Sequence, residues 1–199
     1  HYNASIFNSK TPIKYSSMKT IKELRTVLKF HPQEINSTVK YFAENCNIDF
    51  DVYLPTKGIN LQRDYVWTIE QKRELIWSVL MNRHIPRMAM INIVSEKEDV
   101  KGTYQVIDGK QRLSAMIDFY NGKFSLIIDT INYFYKDLPD DYQRVIAGYM
   151  FPYYIVNEDY GNSFTDEDKI NWFRYINFAG TPQDGEHLQK LLTPTNERI

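Results

Sequence analysis

Residues 105–119 read QVIDGKQRLSAMIDF, and their order places several anion-binding groups at one point of the chain. An apolar run stops at Asp108-Gly109, and Lys110, Gln111 and Arg112 then lead into a helical spacing of apolar residues. A strand that turns into a helix leaves the first backbone N–H groups of that helix unpaired. The partial positive charge there favours an anion, typically a phosphate. Gly109 permits the backbone to turn or to approach a ligand closely. Arg112, one turn in, can hold phosphate oxygens with a forked pair of donors. Ser114 can add a hydroxyl, and Asp108 can bind a metal, a water or a ribose hydroxyl. The alternative is structural: Asp108 as the N-cap of a helix, followed by two solvated polar residues.

Elements on both sides must hold this junction. The run TYQVI before it reads as a strand, and Lys110 to Tyr120 as the helix after it. MAMINIV forms a neighbouring strand, joined to TYQVI by the polar hairpin EKEDVKG, and FSLIID a further one. With IDFDVYL, which alternates like a strand, these give a small mixed sheet from 51–54, 88–94, 103–107 and 124–129. The clearest helix begins at Thr68, where Gln71 completes a capping-box pair and Leu75, Ile76, Val79 and Leu80 form the apolar stripe. Pro86 ends it. Ile21, Leu24, Val27 and Leu28 follow helical spacing, and a helix is expected over 33–45 after Pro32. Two more fit 139–148 and 165–178, the latter capped by Thr165 with Asp166, Glu167 and Asp168 in its positive first turn. TPQDGEHLQKLL opens a last helix. The expected class is therefore α+β.

Composition excludes several functions. The 199 residues suit one compact domain. A lead-in or arm is expected over 1–19, the domain over 20–192 and a tail over 193–199. Net charge is -1, which argues against coating nucleic acid through bulk positive charge. The charge is uneven: Lys57 to Arg112 holds ten Lys/Arg against seven Asp/Glu, and Thr130 to Ile199 six against eleven. Cys46 is the single cysteine, so no internal disulfide forms, and a reducing cytoplasm is the expected compartment. No stretch approaches the ~20 apolar residues of a membrane span.

Two other segments carry candidate groups. LQRDYVWT sets Gln62, Arg63 and Asp64 before Tyr65 and Trp67, whose rings suit stacking on a base and equally suit anchoring in the core. Arg83, His84 and Arg87 gather at a helix end, where cations complement the dipole or meet a DNA phosphate. Asp166 to Lys169, DEDK, reads most simply as a helix first turn. FRYINFAGTPQDGEHL places Asn177 and Gly180 near a helix end, with Glu186 beyond.

QRDYVW, IDGKQRLSAM and INFAGTPQDGEHL, in that order over roughly residues 20 to 192, resemble the domain of unknown function 262 family. Members stand at the N-terminus of GmrSD-type modification-dependent restriction enzymes. That resemblance implies a ParB/sulfiredoxin-like fold in which the strand–turn–helix motif meets nucleotide phosphates. It implies an NTP ligand, ATP or GTP, with Mg²⁺, and hydrolysis that controls a DNA-cutting partner domain. Carried over by position, the motif residues are Gln62, Arg63, Asp108, Gly109, Gln111 and Arg112, and Glu186 becomes a metal or ribose contact. Lys110 departs from the family's Asp-Gly-Gln-Gln-Arg pattern. It keeps length and adds a cation to phosphate binding, but it cannot orient a water as an amide does. The four histidines, His1, His31, His84 and His187, lack ligand-like spacing, so an HNH nuclease is not expected within these residues.

The expected function is a nucleotide-binding, NTP-hydrolysing regulatory domain of a bacterial or phage DNA-defence system. Asp108, Gln111 and Arg112 would act on the phosphates, and Gln62, Arg63, Gly109, Lys110, Ser114, Asn177 and Gly180 would hold the nucleotide. Two alternatives stand beside it: a DNA-binding or nicking module of the ParB type, and a non-enzymatic platform for protein partners.

Overall fold

A five-stranded mixed sheet, in the order β1-β9-β5-β6-β2, carries the chain. The computed structural model describes residues 31–93, 103–158 and 163–178. Its strands are β1 (Gln33–Thr38), β2 (Asn47–Asp49), β3 (Tyr53–Leu54), β4 (Ile59–Asn60), β5 (Met88–Ile93), β6 (Thr103–Asp108), β7 (Leu126–Ile128), β8 (Ile131–Tyr133) and β9 (Met150–Glu158). The helices are α1 (Val39–Asn45), α2 (Ile69–Leu80), α3 (Lys110–Tyr120), α4 (Asp140–Ala147) and α5 (Asp166–Phe178). The class is α+β.

Period-2 alternation along the central strands divides the interior. Met88 and Met90 of β5 join Val106, Leu113, Met116 and Phe119 in a core with α1, α2 and α4. Ala89 and Ile91, pointing the other way, join Ile107, Val156 and the α5 residues Ile170, Trp172 and Phe173. Strand β5 is thus apolar on both faces because both faces are covered, which is why MAMINI lacks polar alternation.

Caps set several boundaries as expected. Thr68 accepts from the Gln71 N–H at 3.3 Å, and Gln71 returns its side chain to the Thr68 N–H at 2.9 Å. At α5 the Thr165 hydroxyl accepts from the Asp168 N–H at 3.2 Å and the Asp168 carboxylate from the Thr165 N–H at 3.0 Å. Asp166 also accepts from the N–H and the hydroxyl of Thr56, at 2.7 and 2.6 Å. The acidic DEDK run therefore caps and ties a helix.

Three expectations are corrected and one strand is added. Residues 33–38 form a strand paired antiparallel to β9, and the helix begins only after Thr38, whose hydroxyl accepts from the Tyr41 N–H at 3.0 Å. IDFDVYL is broken by Val52, whose φ of +53° ends one strand and starts a hairpin, so 53–54 pairs with 59–60 outside the main sheet. Residues 126–128 also leave it, pairing with 131–133. Strand β9, not anticipated, lies between β1 and β5, antiparallel to the first and parallel to the second. Its Pro152 precedes Tyr153, where pairing with β5 begins, so the missing N–H interrupts no bond to that neighbour. The expected arm, the 21–28 helix, the EKEDVKG hairpin, the last helix and the tail lie outside the described residues.

Candidate functional site

The β6–α3 junction is shaped by a bulge. Asp108 pairs with Ala89 and Val106 with Met90, which leaves Ile107 as the extra residue. Its buried carbonyl is satisfied by the Gln62 amide, itself buried. Gly109 follows at φ +101°, in left-handed backbone, and a Cβ there would lie 2.6 Å from the Met88 Cγ. Only glycine suits both the angle and the space. Gly109, and not Asp108, occupies the N-cap position, and no side chain caps the helix. The first α3 bond runs from the Leu113 N–H to the Gly109 carbonyl, so the helix itself leaves the N–H groups of Lys110, Gln111 and Arg112 unpaired.

Gln111 grips the QRDYVW segment. Its Oε1 accepts from the N–H groups of Val66 and Trp67, at 3.0 and 3.2 Å, and its Nε2 donates to the Asp64 carbonyl at 3.1 Å. Tyr65 adds a hydroxyl bond to the Gln111 carbonyl at 3.4 Å. With Gln62 on Ile107, the two segments are interlocked in both directions.

Charges at the junction are partly matched. Arg112 Nη2 donates to the Asp108 carboxylate at 2.9 Å and to the Arg87 carbonyl at 3.2 Å. Arg112 Nε is buried, with no partner among the described residues. Lys110 Nζ lies 2.6 Å from the Asp51 carboxylate, and its side chain is only 8% exposed. Arg63 is exposed and has no ion-pair partner among the described residues.

Gln62, Arg63, Trp67 and residues 108–112 line one pocket of about 120 Å³. Small-molecule pockets usually hold ~300–1,000 Å³, so this one admits only a small group, of about the size of a phosphate. Arg63 and Arg112 meet there, as expected from their motifs. Asn177 is not among its described lining residues and instead donates to the Phe173 carbonyl at 2.7 Å. Ser114 lies further along α3 and does not line it either. Gly180 and Glu186 fall outside the described residues. A depression of about 330 Å³ against α4, lined by Tyr135, Asp140, Gln143, Arg144 and Ala147, shares no residue with the motif pocket.

Trp67 stands on the pocket wall, half-buried. Tyr65 is engaged elsewhere: the Lys72 ammonium sits 4.4 Å from its ring centre. Burial, and then the Asp118 carboxylate, push the Tyr65 phenol up to about 12. The basic cluster at the end of α2 is largely matched, Arg83 by Glu74 at 2.5 Å and Arg87 by Glu34. Asp51 was not anticipated as part of the site, because IDFDVYL reads as an uninterrupted strand. Among the described residues no group of three His, Cys, Asp or Glu side chains is placed to hold a metal.

The model of the GmrSD restriction endonuclease N-terminal domain matches residues 45–193. The chain belongs to this family. In this GmrSD N-terminal domain the match takes in QRDYVW, DGKQR and the Asn177 segment together. No curated protein and no solved structure matches the chain. Among the described residues no helix is long and apolar enough to cross a membrane.

Proposed function

We propose that the domain binds the phosphates of a nucleoside triphosphate at the head of α3 and, as the regulatory part of a restriction system, passes the nucleotide state to a DNA-cutting partner. The observation that carries this is the uncapped α3 N-terminus opening on a pocket with Arg63 and Arg112. Helix N–H groups and guanidinium forks are all donors, the complement of phosphate oxygens. The small pocket takes one phosphate group of the ligand, and Trp67 offers an aromatic face beside it.

Arg112 makes the site an exchange device. Its Nη2 donates to the Asp108 carboxylate. Turning the fork to a phosphate releases the Asp108 carboxylate, the single acidic group among the described lining residues. One carboxylate with phosphate oxygens suits Mg²⁺, which is commonly held in that way. When bound, the ion would neutralise charge developing on the phosphates. In hydrolysis, water attacks the γ-phosphorus, the bond to the β-phosphate oxygen breaks, and the water proton passes to a phosphate oxygen. Gln111 takes no part in orienting that water, because both ends of its amide are engaged. A DNA-binding module loses support from the pairing of Arg83 and Arg87 with glutamates.

Calorimetry with MgATP and MgGTP, with duplex DNA as comparison, tests this. Replacing Arg63 or Arg112 by Ala removes charge-assisted bonds worth ~1.5–3 kcal/mol, a weakening of roughly ten- to 150-fold. Equal affinity in well-folded variants, or binding of DNA alone, refutes the reading.

A further inference from the structure

Lys110 stands inside the DGKQR turn with its side chain buried, and its surroundings show what holds it there. Asp51, whose side chain is 60% exposed, touches both motifs. Its carbonyl accepts from the Gln62 N–H at 3.2 Å, and its carboxylate meets Lys110 Nζ at 2.6 Å. The next residue, Val52, is fully buried at φ +53°. A β-branched residue in left-handed backbone is a true outlier, maintained only where the surroundings dictate it. Here the Asp49 carboxylate does so, accepting from the N–H groups of Asp51 and Val52 at 3.1 and 2.9 Å. Asp49 is fixed in turn by the Gln105 amide at 3.0 Å. The strained turn therefore presents Asp51 to Lys110, while the Leu61 N–H closes on the Val52 carbonyl at 3.0 Å.

We propose that Lys110 is a positioning residue, serving as the counter-ion of Asp51 and latching the 51–62 hairpin to α3 so that Arg63 stands at the pocket. It does not contact phosphate. The binding half of this assignment rests on the phosphate reading above; the latch itself does not. Lys110 and Asp51 are each other's ion-pair partner, so neutralising one of them alone leaves the other's charge unmatched.

The test uses the full chain with Lys110→Gln, Asp51→Asn and the double variant. In ligand-free protein, amide exchange at Leu61 and Gln62 reads the latch. Each single variant is expected to speed exchange several-fold, and the double to be no faster than the faster single, since contacting residues are non-additive. Exchange unchanged in both singles, or accelerations that multiply, overturns the latch whether or not nucleotide binds. Binding of MgGTP and MgATP reads the second half. Lys110→Gln leaves the Asp51 charge unmatched near the pocket and is expected to weaken binding up to about fivefold. Adding Asp51→Asn should return affinity to near the parent value. A double variant as weak as Lys110→Gln makes Lys110 itself a phosphate ligand and overturns the assignment. If the parent chain binds neither nucleotide while the amides respond as expected, the phosphate reading falls and the latch stands. Lys110→Met, which keeps the apolar stem, replaces Lys110→Gln if that variant does not fold.

Discussion

Gln111→Ala separates a clamp from a catalytic amide. The Gln111 side chain makes three hydrogen bonds to the 64–67 backbone, at 3.0, 3.2 and 3.1 Å. A net hydrogen bond contributes ~0.5–1.5 kcal/mol. Asp64 and Val66 are exposed, so water takes over part of the loss and the lower end of that range applies. The three together give about 1.5–3 kcal/mol. For a chain of this size each kcal/mol moves the melting temperature by ~2–4 °C, so a drop of roughly 3–12 °C is expected. Amide exchange at Val66 and Trp67 should accelerate in step. Gln111→Glu retains an acceptor for the two N–H groups but sets an oxygen against the Asp64 carbonyl, and should melt between the parent and the Ala variant. Thermal unfolding by circular dichroism with residue-resolved exchange measures both. A Gln111→Ala protein melting within about 1 °C of the parent, with both amides still protected, refutes the clamp.

Gly109→Ala meets left-handed backbone and the Met88 side chain at once, and should cost about 2–4 kcal/mol in chemical denaturation. Pairing it with Met88→Ala should not return parent stability, because the backbone part remains. Arg63→Ala, an exposed change, should alter stability by less than ~0.5 kcal/mol while lowering nucleotide affinity in calorimetry; the reverse pattern would make Arg63 structural. The Tyr65 phenol, pushed up to about 12, ionises near 10 in the unfolded chain. Its contribution to stability is therefore fully present below about pH 10 and is lost as pH rises from there towards about 12. Denaturation midpoints across that interval should fall less steeply in Tyr65→Phe.

The motif junction was legible because its information is local. An apolar run, Asp-Gly and a helical spacing define β6, Gly109 and α3 over Lys110–Tyr120. Thr68 with Gln71 is a local capping pair as well. What stayed hidden depends on distant partners. Gln111 reads as a solvated or ligand-binding amide until the 64–67 backbone is folded onto it. Lys110 reads as a phosphate cation until Val52 turns Asp51 towards it, and no spacing announces left-handed backbone at a valine. Strand β9 was masked by Pro152, ordinarily a mark against a strand interior, although the aromatic and β-branched residues around it favour extended backbone. Residues 33–38 are a strand because β9 is beside them, paired from Gln33↔Ile155 to Thr38↔Met150; taken alone, QEINST has little to declare it.

The position of β9 has a consequence for how the chain is made. Until residues 150–158 leave the ribosome, β1 has no neighbour and one long side of β5 stays open. That side belongs to MAMINI, apolar on both faces, and an unpaired apolar edge is a template for aggregation. Slow emergence of the later residues, or a shortened gene ending before Met150, therefore releases a polypeptide whose β6–α3 turn is already encoded but whose sheet cannot close. For laboratory expression, the segment to keep intact is one that supplies none of the described residues lining the motif pocket.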